Sequence, residues 1–211
     1  MYWYIIPARK GSKGLPFKNR TLFEFTASSL PIDVQSNVIV TSDDEVVLEM
    51  AEKYNFIPHK RCDNLAEDTT SIKEVIKDVI KKFKIEEDDK IVLLYLTYPE
   101  REWKDISRAI SFYKSHKAKS LLCKKEITVS PYLCYYEEPA FKGTKIIEHD
   151  LCRRQDYRKC FEASHFISIL NASAIEQLDT NLHCKDTIFL PIKSFIDVDE
   201  EKDLRKYYNE N

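Results

Sequence analysis

Through the first hundred residues, unbroken apolar runs alternate with segments whose apolar positions recur at intervals of three and four. The runs are Tyr2-Trp3-Tyr4-Ile5-Ile6, Asn37-Val38-Ile39-Val40-Thr41 and Lys90-Ile91-Val92-Leu93-Leu94-Tyr95-Leu96. Apolar runs without polar alternation predict strands buried on both faces of a parallel sheet. Between them, Val46, Val47, Met50, Ala51 and Tyr54 share one helical face behind Ser42-Asp43-Asp44-Glu45, a helix start with acidic residues in its first turn. Ile72, Val75, Ile76, Val79 and Ile80 mark another face, capped by Thr69-Thr70-Ser71 and backed by lysines. A short helix is expected from Leu22 and should end before Pro31, and a further one from Trp103 to His116. Strands alternating with such helices predict a doubly wound, Rossmann-like α/β fold with a mostly parallel sheet. Ligands of such sheets sit outside the carboxyl ends of the strands.

Past His116 the pattern changes. Ala118 to Ile127, Pro131 to Tyr136 and Lys145 to Glu148 are short strand-like stretches punctuated by Ser-Pro, Glu-Glu-Pro and Lys-Gly, which predicts a small antiparallel excursion. His165 to Leu170 returns to the core, Ala172 to Leu178 is helical, and Thr187 to Pro191 is a late strand. An amphipathic helix closes the chain. No internal repeat, linker or low-complexity tract interrupts residues 1–211, and one domain is expected.

Composition narrows the function. Lysine and arginine (33) nearly balance aspartate and glutamate (35), giving a net charge of −2 that gives no support to a general nucleic-acid surface. The six cysteines form no C-x-x-C pair, so free thiols are expected. The first apolar run is too short for a signal sequence and none approaches membrane-spanning length, so a soluble cytoplasmic protein is expected.

The segment after the first strand, Pro7-Ala8-Arg9-Lys10-Gly11-Ser12-Lys13-Gly14-Leu15-Pro16-Phe17-Lys18-Asn19, carries four cations, two of the chain's three glycines, and the donors Ser12 and Asn19. Glycine lets the backbone approach an anion, and successive N–H groups with lysines neutralise polyphosphate. A solvated basic turn would explain the lysines but not the glycines. The spacing matches neither the P-loop nor G-x-G-x-x-G. Near the other end, Asp197 and Asp199 are one residue apart, so in extended backbone both carboxylates point to one side, as a hard divalent cation such as Mg²⁺ requires. The alternative is a polar turn opening the last helix.

Ile6-Pro-Ala-Arg-Lys-Gly-Ser-Lys-Gly-Leu-Pro-Phe-Lys-Asn19 resembles the opening motif of the acylneuraminate cytidylyltransferases, which make CMP-activated sialic acids. Arg61-Cys-Asp-Asn-Leu-Ala-Glu-Asp-Thr-Thr-Ser71 is similar to that family's Arg-Pro-x-x-Leu-Ala-x-Asp-x-x-Ser, and Asp197-Val-Asp-Glu-Glu-Lys-Asp-Leu204 to its closing Asp-Ile-Asp-x-x-x-Asp-Leu. The resemblance spans nearly the whole chain, although the family's Gly-Lys-Pro-Leu after Lys-Asn is replaced by Arg20-Thr21-Leu22-Phe23-Glu24. It implies a nucleotidyltransferase fold and a homodimer built on the excursion at about 125–160. It also implies a cytosine pocket of Pro7, Ala8, Arg9, Arg61 and Thr70, and a metal at Asp197 and Asp199. The triphosphate would be held by Arg9, Ser12, Lys13, Lys18 and Asn19. Thr70 and its neighbours also make an ordinary helix cap.

Two segments depart from the family. Leu93-Leu94-Tyr95-Leu96-Thr97-Tyr98-Pro99-Glu100-Arg101 stands where the family has Leu-Leu-Gln-Pro-Thr-Ser-Pro-x-Arg. Tyr95 thus replaces a sugar-facing glutamine and Tyr98 a serine; either tyrosine also reads as core filling. Glu162 stands where most members have an arginine for the acid sugar, with His165 near the family's glycine; a lone histidine at a strand start also reads as structural. Tyr95, Thr97, Tyr98, Arg101, Glu162 and His165 are the expected acceptor residues, with Arg153, Arg154 and Arg158 as further anion partners. The expected activity is Mg²⁺-dependent transfer of CMP from CTP to an acidic sugar, releasing pyrophosphate, with Arg9, Lys18, Asp197 and Asp199 catalytic. The alternatives are another acidic, phosphorylated or phosphonate acceptor, or CTP binding without turnover. Glu162 predicts that N-acetylneuraminate itself is not the acceptor.

Overall fold

Ile5 and Ile6 face opposite sides of one strand and both are fully buried. That is the sheet's design in miniature: apolar runs without alternation belong where both faces are covered. The computed structural model describes residues 1–11, 14–193 and 195–210, the last through its backbone. Strand β1 (Tyr2–Pro7) lies between β2 (Val38–Ser42) and β4 (Lys90–Leu93), parallel to both, with Ile5 opposite Ile39 and Leu93. Strand β3 (Ile57–Lys60) adds parallel to β2 at the edge. Strands β5 (Ser120–Glu126), β8 (Phe161–Asn171) and β9 (Thr187–Pro191) complete a seven-stranded sheet in the order β3-β2-β1-β4-β8-β5-β9.

Helices cover both faces. On one, α1 (Lys18–Ser29), α3 (Glu45–Lys53) and α5 (Trp103–Lys114) bury Leu22, Phe23, Val47, Ala51, Ile106 and Ala109 against Ile6, Val40 and Val92. On the other, α4 (Ile72–Phe83) and a 3₁₀ turn at Ala172–Gln177 bury Ile76, Val79 and Ile175 against Ile5, Ile39 and Ile91. Two further helices are α2 (Ile32–Gln35) and α6 (Glu201–Glu210). The doubly wound, mostly parallel α/β sheet is therefore as the pattern predicts. Asp44 caps α3 through Val46 N at 3.2 Å, and Ser71 caps α4 through Glu74 N at 3.3 Å.

Four differences from the sequence reading have physical causes. Helix α1 begins at Lys18 rather than Leu22, after Phe17 turns the chain through a left-handed conformation (φ 54°). Its polar first turn masks the onset. Strand β3 went unread: a short segment holding Pro58 suits only an edge, where a missing N–H goes unused. Strand β8 is antiparallel to β4 and β5 inside the main sheet, with Ile91 opposite Leu170. The excursion is present but shifted: Pro131–Leu133 forms a 3₁₀ turn, and a two-stranded hairpin pairs β6 (Tyr135–Glu138) with β7 (Lys142–Lys145). All six cysteines are free thiols. Among the described residues no helix is long and apolar enough to cross a membrane.

Candidate active site

The carboxyl ends of β1, β3 and β4 open onto a cavity of about 520 Å³. Of the expected site residues, Pro7, Arg9, Lys18, Asn19, Arg61, Thr70, Tyr95, Thr97 and His165 line it. Ser12 and Lys13 lie outside the described residues. Ala8 is fully buried under the loop, its N–H donating to Thr41 O at 3.0 Å and its carbonyl accepting from Ser42 Oγ. The loop is therefore clamped to β2 at its root. Asn19 Nδ2 donates to Arg9 O at 2.7 Å and Lys10 N to Asp43 Oδ1 at 2.8 Å, which tie its first limb to α1 and to the β2–α3 turn.

The glycines divide the work differently from the sequence reading. Gly11 lines the cavity and has open space where a Cβ would stand. A Cβ on Gly14 would lie 2.3 Å from the carbonyl oxygen of Asp199. Gly14 thus lets the loop pack on the segment carrying the two aspartates.

That segment is built by alternation. Val198 is fully buried and its N–H donates to Thr97 O at 2.8 Å, while Asp197 and Asp199 on either side are exposed. Lys18 Nζ meets Asp199 Oδ1 at 2.7 Å; the lysine is 13% exposed and the aspartate 70%. Arg9 pairs with Asp68. The turn carrying Asp68 and Thr70 is held by Thr70 Oγ1, which donates to Asn64 O at 2.8 Å. Two exposed carboxylates with oxygen donors and adjacent loop cations suit a hard divalent cation that takes its remaining ligands from phosphates and water.

Arg61 also lines the cavity and is buried. Its Nε donates to Thr41 Oγ1 at 3.1 Å and its Nη2 to Thr41 O at 2.9 Å. Burial pushes its pKa down to about 10, opposed by Asp43 and Tyr95, so it stays cationic at neutral pH. Behind it, His59 Nδ1 lies 3.0 Å from Thr41 Oγ1 and His59 Nε2 3.2 Å from Asp78. Thr41, Asp43, Asp78, Thr180 and Asn181 support or line the cavity without having been read from the sequence. Only Asp43, beside the helix start, carried a local signal.

No protein-family model matches the chain. It is 30% identical over 140 residues to the CMP-N,N'-diacetyllegionaminic acid synthase of Legionella pneumophila, covering 62% of this chain and 60% of that protein. Against the pseudaminic acid cytidylyltransferase of Campylobacter jejuni it is 26% identical over 212 aligned positions, covering 95% of this chain and 91% of that protein. The chain is thus similar to CMP-legionaminic, pseudaminic and N-acylneuraminate cytidylyltransferases, the group its motifs resemble. Its fold is shared with a CMP:2-keto-3-deoxy-manno-octonic acid synthetase solved with CTP, at a TM-score of 0.69 and 14% identity over 99% of this chain and 97% of that one.

The departures from the cytidylyltransferase pattern fall in unlike places. Tyr95 lies at the cavity, edge-on to His165 with ring centroids 5.7 Å apart, and burial pushes its phenol up to about 12. Tyr98 does not line the cavity: it is buried, with its hydroxyl on Asp197. Arg101 is withdrawn from the acceptor set altogether. It is 1% exposed, and its guanidinium donates to Phe166 O (2.8 Å), Tyr95 O (2.7 Å) and Thr26 Oγ1 (3.0 Å). Glu162 also lies outside the cavity lining, on the far half of β8, where it pairs across the strands with Lys125 at 3.0 Å. The change of sign anticipated there does not reach the cavity of this chain. Arg153 is paired with Asp156 at 2.9 Å, and neither it, Arg154 nor Arg158 lines the cavity.

Proposed function

We propose that the chain is a Mg²⁺-dependent cytidylyltransferase that moves CMP from CTP to an acidic sugar of the nonulosonic class and releases pyrophosphate. The observation that carries this reading is the ion pair between Asp199 and Lys18, which sets the closing aspartates, themselves outside the cavity lining, against a lysine that lines it. The Legionella and Campylobacter relatives are named for activating such sugars. The chain spans only 60% of the Legionella protein, so this is a reading of the chain's own residues.

In this reading Arg61 and the backbone of Pro7 to Arg9 hold the base in a space suited to a pyrimidine, and Thr70 closes that wall. Arg9, Lys18 and Asn19, with Ser12 and Lys13, hold the triphosphate, helped by the positive amino end of α1. Asp197 and Asp199 would hold the cation, which neutralises charge on the phosphates. Catalysis is positioning and electrostatics, with no covalent nucleophile. Tyr95, Thr97 and His165 form the acceptor wall. The hairpin β6–β7 exposes Tyr135, Tyr136 and the Phe141 turn, as a homodimer contact requires.

Pyrophosphate release decides the reading, measured with CTP, UTP, ATP and GTP plus Mg²⁺ against pseudaminic, legionaminic, N-acetylneuraminic and 3-deoxy sugar acids. CTP alone should support turnover, and Asp199→Asn should abolish most of it. Tight CTP binding without release on any acceptor would refute transfer; equal use of a purine triphosphate would refute the base pocket.

A further inference from the structure

We infer that His165 is the general base of the transfer, taking the proton of the acceptor's attacking hydroxyl on its Nε2. The inference rests on the cytidylyltransferase reading. His165 lies on β8, the antiparallel strand that brings a side chain to the cavity from the side opposite in chain direction to β4. It shares the cavity lining with Arg9, Lys18 and Arg61.

Two contacts fix the ring. Nδ1 lies 3.0 Å from the hydroxyl of Ser168, which is itself 1% exposed, and the ring meets Tyr95 at an interplanar angle of 65°. The general-base role requires the tautomer in which Nδ1–H donates to Ser168 Oγ, which leaves the lone pair of the neutral ring on Nε2. Nε2 has no protein partner among the described residues. It is not sealed off either, because the only partnerless side-chain nitrogen or oxygen buried among those residues is Arg101 Nε. Nε2 therefore opens to the cavity.

The surroundings keep the ring basic but uncharged in the resting state. Burial holds its pKa below the ordinary histidine value, opposed by Asp197 on the closing segment and Asp179 after the 3₁₀ turn; Tyr95 faces it from the end of β4. Once Nε2 takes a proton, Asp179 stabilises the imidazolium without touching it. The carboxylates nearer the loop are committed: Asp68 to Arg9, Asp199 to Lys18 and Asp197 to Tyr98. Glu67 lines the cavity from the turn that carries Thr70, on the base side.

The step balances. The acceptor oxygen bonds to the α-phosphorus as its proton passes to Nε2. The bond from the α-phosphorus to the bridging oxygen breaks, and pyrophosphate leaves with that electron pair. The proton then passes to water, and nothing is oxidised or reduced.

The test compares wild type, His165→Gln and His165→Ala across pH with CTP, Mg²⁺ and the acceptor that the wild type uses, alongside calorimetric CTP binding and thermal melting. The expected result is CTP affinity within about twofold of wild type, kcat lower by roughly 10²–10⁴-fold, and loss of the acid limb of the kcat/KM profile in His165→Gln. Added imidazole should restore turnover to His165→Ala in proportion to its concentration, which a purely structural histidine would not allow. Wild-type rate or an intact acid limb in His165→Gln, or no imidazole rescue of a folded His165→Ala, would overturn the inference. An inactive wild type would instead overturn the transfer reading beneath it.

Discussion

Tyr98 donates its hydroxyl hydrogen to Asp197 Oδ2 across 2.7 Å. Ser164 Oγ lies 3.3 Å from the same hydroxyl and accepts from Phe166 N at 3.2 Å, so a file of donors runs from β8 to the carboxylate. Burial first, then the carboxylate, keeps the phenol protonated well above its usual range. A carboxylate oriented this way is set for a cation before one arrives, and loss of such a partner typically costs 10- to 100-fold in metal affinity. Tyr98→Phe should therefore weaken Mn²⁺ binding, measured by titration in the presence of CTP, by roughly that factor while leaving the melting temperature near wild type. Unchanged Mn²⁺ affinity would show that the hydroxyl is only satisfying itself.

Gly14 offers a sharper steric test. Alanine there places a methyl group 2.3 Å from backbone oxygen, which cannot move aside as a flexible side chain would. Gly14→Ala should part the loop from Asp199 and weaken CTP binding on the order of tenfold or more. Gly11→Ala, with nothing within 4 Å of the new methyl, should bind CTP like wild type. Similar affinities for the two variants, by calorimetry, would remove the packing role given to Gly14.

Arg101 should prove a matter of stability rather than of acceptor choice. Its replacement by methionine leaves two buried carbonyls and the Thr26 hydroxyl without their donor. Each such loss costs about 1–3 kcal/mol, so Arg101→Met should lower unfolding free energy by about 3 kcal/mol or more in urea titration. Lysine, which lacks the planar fork, should rescue little. A variant within about 0.5 kcal/mol of wild type would refute this.

Stability should also fall on the acid side of neutrality. Burial lowers the pKa of both His59 and His165 from the ordinary value of 6.5. In that case the unfolded chain takes protons first as pH drops, so the native state is fully favoured above about 6.5 and loses ground below it, levelling off once pH passes the folded values. His59→Gln should lower stability at pH 7.5 by breaking contacts to Thr41 and Asp78, yet flatten the decline between about pH 6.5 and 5.5. Melting curves at several pH values would show this, and an unchanged slope would exclude His59 as a contributor.

The parts of this protein legible in its sequence are those where one local pattern decides. Ile5, Ile6 and the runs at Val38 and Ile91 could only be interior strands, and Val75, Ile76 and Val79 only a buried helix face. The basic loop and the paired aspartates carried their chemistry in composition and spacing. What escaped depends on distant partners. Nothing local separates an arginine sealed in the core from one awaiting an anion; Arg101 is settled by Thr26 and Phe166, far along the chain. Tyr98 looked like either filler or contact surface because its partner, Asp197, is ninety-nine positions away. Glu162 was placed by alignment with a motif, but the pairing of β5 with β8 puts Lys125 opposite it.

Lys18 and Asp199 stand 181 positions apart and occupy each other. In that arrangement Lys18 Nζ and Asp199 Oδ1 face each other, so a phosphate or a cation taking either side of the contact would replace the pair. A cation arriving at Asp199 would release Lys18, and a triphosphate arriving at Lys18 would release Asp199. Two ligands that each vacate the other's place must raise each other's affinity by one common factor, whichever comes first. Under the proposed function the pair would be a latch with two keys, discriminating against free nucleotide and free metal alike and opening most readily to the metal–nucleotide complex.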